Sequence, residues 1–122
     1  GTGSMVLDRT AKIAYACISP RTNTDVLRDF CRHMEYNAVS FHAKDAGGQL
    51  IYHTNVMMCV ADRYVVICLD SITDVGERRQ VEEAIRHSAK EIIPISLDQM
   101  NHFAGNMLQV ENKKGEKYLL PL

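Results

Sequence analysis

Three short stretches decide the reading of this chain: Ser4-Met5-Val6-Leu7, Asn55-Val56-Met57-Met58 and Asn106-Met107-Leu108-Gln109. Each sets a polar residue ahead of an apolar run, and the openings at 4, 55 and 106 are evenly spaced. Self-similarity at a fixed period near 50 residues is the mark of a repeat architecture. Each opening also leads into a hairpin. The first runs from Met5–Leu7 through Asp8-Arg9-Thr10-Ala11-Lys12 to Ile13–Ser19, and the second from Val56–Val60 through Ala61-Asp62-Arg63 to Tyr64–Leu69. The third runs from Met107–Val110 through Asn112-Lys113-Lys114-Gly115 to Tyr118–Leu120. Apolar and β-branched runs broken by Asp, Asn and Gly are the local signal for paired strands.

A helix follows each of the first two hairpins. After Pro20, Thr22 and Asp25 have capping-box spacing, and Leu27, Phe30, Cys31 and Met34 form an i, i+3, i+4, i+7 face. Asp74 and Glu77 offer the same cap ahead of Val81, Ala84, Ile85 and Ser88, a narrower stripe. Short strands at Ala38–Phe41 and Ile92–Ile95 close the units. The fold class is therefore α/β, built of β-β-α-β units at 4–54 and 55–105 with a half unit at 106–122. All belong to one partial domain spanning 1–122. A helix in every unit disfavours the all-β propellers, whose blades are four-stranded sheets. Two and a half units also leave an open face, which points to a segment of a larger protein or to a homo-oligomer, with a dimer expected.

Composition narrows the function classes. The chain is 46% hydrophobic and 24% charged, with a formal charge of −1, which excludes disorder and offers neither nucleic acid nor an anionic membrane a basic surface. No apolar run reaches the roughly 18 residues of a membrane span, so the expectation is a soluble, cytoplasmic protein. The four cysteines, Cys17, Cys31, Cys59 and Cys68, lie in apolar runs without a Cys-x-x-Cys pair and are expected to be free thiols rather than two disulfides. His33, His42, His87 and His102 share no metal-ligand spacing, and neither metal nor cofactor is expected. The charges of Glu77-Arg78-Arg79 and Glu82-Glu83 read as the solvated face of the second helix.

Several strings carry a family resemblance. Tyr52-His53-Thr54-Asn55-Val56-Met57-Met58, then Ala61-Asp62-Arg63-Tyr64-Val65-Val66-Ile67-Cys68-Leu69-Asp70, and Asn101-His102-Phe103-Ala104-Gly105-Asn106-Met107-Leu108 resemble the citrulline-hydrolysing branch of the amidinotransferase superfamily. That superfamily modifies guanidino groups and includes arginine deiminase and dimethylarginine hydrolase. The resemblance implies a pentein-type five-bladed β/α propeller with one β-β-α-β unit per blade and the active site on its axis. It also implies a hydrolase in which a cysteine thiolate attacks the guanidinium or ureido carbon. A histidine then protonates the departing nitrogen and activates water, a task suited to imidazole.

Carried over residue by residue, His53 matches the catalytic histidine; its plain alternative is a surface histidine in the loop after Gly47-Gly48. Asn55 stands where arginine deiminases place a substrate-gripping Asp. An amide can bond a neutral ureido group but cannot neutralise a guanidinium, so the resemblance favours citrulline; the alternative is a turn or bulge residue. Asn106 is the equivalent opener of the third unit, a candidate substrate contact or a structural hydrogen-bonding residue. Gly1-Thr2-Gly3-Ser4 reads either as a cloning remnant or as the stretch after the family's catalytic Glu. None of the four cysteines fits the family's nucleophile, and Cys59 alone merits testing. The chain thus reads as a segment of a ureido or guanidino hydrolase, carrying the histidine without the nucleophile and inactive alone. The competing reading is a non-catalytic repeat module that assembles into a pseudo-propeller and binds small metabolites.

Overall fold

The computed structural model describes residues 5–19 and 24–101. Its elements run β1 (Val6–Asp8), β2 (Ile13–Cys17), α1 (Thr24–Met34), β3 (Asn37–Phe41), β4 (Met58–Val60), β5 (Tyr64–Ile67), α2 (Val75–His87) and β6 (Glu91–Pro94). They form two three-stranded sheets, β1-β2-β3 and β4-β5-β6. In each sheet the hairpin is antiparallel and the strand after the helix pairs in parallel with the middle strand. The β-β-α-β order thus occurs twice, as the sequence period requires. The half unit at 106–122, with Asn106, lies outside the described residues, as do Gly1–Ser4 and the Thr22 side of the first helix cap.

β2 and β5 begin 51 residues apart, and so do α1 and α2. The period then slips, because α2 has 13 residues against 11 in α1. Both helices stop in the same manner. Glu35 and Ala89 take the left-handed conformation, with φ of 60° and 63°. The next amides, of Tyr36 and Lys90, bond back to the carbonyls of Cys31 and Ile85. This is the Schellman closure, usually given to glycine because a Cβ there costs roughly 1–2 kcal/mol. With glycine missing, neither stop is marked in the sequence. The start of α2 is marked: the Asp74 side chain accepts from the Glu77 N–H at 2.8 Å, which satisfies an orphan amide of the first turn.

The packing follows from β2, whose five residues are all buried. An apolar run without alternation is what a strand covered on both faces needs. On one face the small side chains of Ala14 and Ala16 meet Leu27 and Cys31 of α1. Ile13, Tyr15 and Cys17, with Val39 and Phe41 of β3, face the other way into a core shared with Val65, Val66, Ile67, Val81 and Ile85 of the second unit. Helix α2 therefore lies against β3 of the first unit as well as β6 of its own. Met34 of α1 is 51% exposed, whereas Ile85, one period on, is fully buried.

Polar ties cross the same seam. The Lys90 ammonium donates to Asp8 Oδ1 at 3.2 Å and to the Ala61 carbonyl at 2.8 Å; the lysine and aspartate side chains are 6% and 0% exposed. Asp8 Oδ1 also accepts from the Ala11 N–H at 3.0 Å and so shapes the first hairpin turn. Asp8 Oδ2 and the Tyr15 hydroxyl are buried with no hydrogen-bond partner among the described residues. Burial, and then the Asp8 charge, push the Tyr15 phenol well above its ordinary value.

Removing one member of a buried ion pair strands the other charge, which costs about 3–5 kcal/mol, while removing both is far milder. Lys90→Met is thus expected to lower the unfolding free energy measured by urea titration by that much, and Asp8→Asn added to Lys90→Met to recover most of the loss. A double variant no more stable than Lys90→Met would show that the pair is not coupled.

Candidate active site

The loop after β3 is a closed excursion that returns the chain to the seam. The Ile51 N–H donates to the Ala43 carbonyl at 2.9 Å, and Lys44 bridges to Leu50. At the tip the Asp45 carboxylate accepts from the amides of Gly47 and Gln49, each at 2.9 Å. Gly48 sits at φ 84°, where a side chain would be strained. Ala43 and Ile51 are buried at the base of the loop. Tyr52 and His53 then emerge into solvent, and the chain dives again at Thr54, fully buried.

Thr54 opens a 3-10 turn, Thr54–Val56. The amides of Val56 and Met57 donate to the carbonyls of His53 and Thr54 at 3.0 and 3.1 Å. The first strand of the second unit therefore begins at Met58, two residues later than the sequence suggests, because those two amides close the turn instead of joining the ladder. Asn55 lies within this turn, half-buried. The Thr54 hydroxyl accepts from the Cys17 N–H at 2.9 Å, at the C-terminal end of β2. On the other side, the Cys68 N–H donates to the Met57 carbonyl at 2.9 Å, just past β5. His53, extended at φ −112° and ψ 117°, thus stands beside the C-terminal ends of both middle strands, where α/β sheets generally hold ligands.

Two neighbouring contacts escape a reading of the sequence. Glu77, assigned there to a solvated helix face, instead reaches the first unit: its carboxylate accepts from the His42 N–H at 2.8 Å and lies 3.0 Å from His42 Nδ1. Arg78 turns its Nε to the Ile72 carbonyl at 3.0 Å. The capping role of Glu77 is local and visible in spacing, but a partner 35 residues away is not. His42 is occupied at this clamp, and the Lys44 N–H meets the Ser71 carbonyl beside it at 2.8 Å.

All four cysteines are free thiols. Burial pushes the Cys17 thiol up to about 12 and raises those of Cys31 and Cys68. A thiol held protonated is a poor nucleophile. Among the described residues, no group of three or more His, Cys, Asp or Glu is arranged to hold a metal ion, and no helix is long and apolar enough to cross a membrane.

The profile of the eukaryotic N,N dimethylarginine dimethylhydrolase family matches residues 1–121. The chain belongs to that family. It is thereby a member of the guanidino-modifying amidinotransferase, or pentein, superfamily that its strings resemble. No curated protein matches the chain. Among solved structures, it is similar to the N-terminal domain of ArgZ, an arginine dihydrolase from the ornithine-ammonia cycle in cyanobacteria, in a cysteine-to-serine variant bound to substrate: 20% identity, TM-score 0.63, covering 85% of this chain and 36% of that one. The same domain covalently bound to a reaction intermediate matches at 20% identity and TM-score 0.57, covering 75% and 32%. Apo ArgZ matches at 19% and 0.61, covering 84% and 16%. At such identities the likeness is one of fold, and this dimethylarginine dimethylhydrolase family segment spans about a third of each matched N-terminal domain.

With an excess of a disulfide reagent on the native protein, half-buried Cys59 is expected to react first, and Cys17, Cys31 and Cys68 only as the chain unfolds. Rapid labelling of Cys17 or Cys68 would contradict their assignment as core thiols.

Proposed function

We propose that this chain is a segment of a cysteine-dependent hydrolase acting on the ureido or guanidino group of a citrulline- or arginine-like amino acid, with His53 as its general acid and base. The observation that carries the reading is the setting of His53: a solvent-exposed residue on backbone anchored by buried Ile51 and buried Thr54, beside the C-terminal ends of β2 and β5. Family membership supports the chemistry, since such hydrolysis needs a group that gives a proton to the leaving nitrogen and takes one from water. In this reading the attacking thiolate comes from elsewhere in the whole protein: burial raises the thiols of Cys17, Cys31 and Cys68, and half-buried Cys59 does not fit the position of the family's nucleophile.

In the proposed sequence the thiolate adds to the central carbon and His53 protonates the departing nitrogen. The neutral imidazole then takes a proton from water, whose oxygen attacks the same carbon, and the thiolate is released. Asn55, two residues on and half-buried, contacts the substrate. Its amide suits a neutral ureido group better than a cation, which favours citrulline over arginine or its methylated forms. Asn106 is proposed as a further contact from the next unit. The units continue around a five-membered β/α propeller. Support for continuation is the uncovered Met34 against the buried Ile85, a face that another unit or a second copy of the chain would cover.

Ammonia or amine release from citrulline, arginine and Nω,Nω-dimethylarginine tests this reading in the full-length protein. Citrulline is expected to be the best substrate, with His53→Ala lowering kcat by about 10²–10⁴-fold, the usual worth of a positioned acid–base group. Asn55→Asp is expected to move preference toward the cationic substrates. Undiminished turnover in His53→Ala would overturn the assignment, and no turnover of any of the three by the intact protein would favour the non-catalytic, self-assembling module.

A further inference from the structure

The repeat gives a reason to look closely at Thr54. One period before and after it the chain carries glycine, at Gly3 and Gly105, while the neighbouring positions equivalent to His53 are Thr2 and Ala104. The unit that carries the histidine is the one that carries a hydroxyl beside it. That hydroxyl is fully buried between two residues that are not. It accepts from the Cys17 N–H at 2.9 Å, across 37 residues of sequence, and so ties the end of β2 to the turn that leads into the second unit.

The consequence falls on His53. Among the described residues no side chain hydrogen-bonds its ring, and the contacts that hold it are those of its backbone. Its carbonyl is held by Val56, and the carbonyl of Thr54 by Met57. The turn is therefore rigid in itself, and the Thr54 hydroxyl is what ties it laterally to the end of β2. We propose that Thr54 is a positioning residue for His53: its buried hydroxyl, engaged with the N–H of Cys17, sets where the turn sits and hence where the imidazole is presented. This rests on the catalytic reading of His53 and extends it to a residue that never touches substrate. An imidazole displaced by about 1 Å can lose on the order of a hundredfold in rate without weaker substrate binding.

The test compares Thr54→Ser, Thr54→Val, Thr54→Ala and His53→Ala in the full-length protein, reading kcat and KM for citrulline, arginine and Nω,Nω-dimethylarginine. Serine keeps the hydroxyl and is expected to hold kcat within about threefold. Valine keeps the shape, and is expected to lower kcat by about ten- to a hundredfold with KM within about threefold. Alanine leaves room for water at the Cys17 N–H, which guards against valine simply failing to fold, and the same loss in kcat is expected. Unchanged kcat in valine and alanine variants, with His53→Ala inactive, would overturn this inference alone. So would a loss confined to KM, or one as large in serine as in valine. Full activity in His53→Ala would overturn the catalytic reading and this inference together.

Discussion

Burial of β2 on both faces is the constraint on which the rest of the structure depends. Ala14 and Ala16 are covered by α1, but Ile13, Tyr15 and Cys17 find their cover in the second unit. A single β-β-α-β unit would leave that second face wet. The core is thus a property of two consecutive units and not of either one, which is how repeat architectures distribute their stability. Helix α2, packed against both β3 and β6, joins the two sheets together with the packing of β1 against β4.

Apolar contact alone would let the sheets slide, and the polar ties remove that freedom. Lys90 and Asp8 meet where β2 begins, since Asp8 pairs with Ile13 in the ladder. Thr54 and Cys17 meet where β2 ends. Glu77 with His42, and Lys44 with Ser71, add two more ties just beyond the end of β3. The candidate site lies at the end where these contacts concentrate. The His53 side chain is solvent-exposed and leads into a turn that is tied to the ends of both β2 and β5.

The sequence showed what depends on near neighbours. Two hairpins, each followed by a helical stripe and a short apolar run, made the β-β-α-β order legible, and Ala61-Asp62-Arg63 marked a turn that the structure closes by the Ala61 N–H to the Tyr64 carbonyl at 2.8 Å. Asp74 and Glu77 announced the cap of α2, and the apolar runs around the cysteines announced free thiols. What stayed hidden depends on partners far along the chain. Nothing around Thr54 says that its hydroxyl will meet Cys17, so the 3-10 turn read as the start of a strand. Nothing around Glu77 or Lys90 says that either will cross to the first unit, so the one read as a surface charge and the other drew no notice. The helix ends were hidden for another reason: Glu35 and Ala89 adopt a conformation that their residue types disfavour, and tertiary packing overrides that local preference.

The shared seam is the central claim, and the Cys17 amide reports on it directly, because its hydrogen bond is supplied by the other unit. Native-state hydrogen exchange at Cys17, read beside Val65 and Val66 of β5, measures whether the units open together. The account predicts that all three amides exchange only through the same global opening, with matching free energies and matching dependence on denaturant. Fast exchange at Cys17 while β5 stays protected would contradict it, since the first unit would then be letting go of the second without unfolding it.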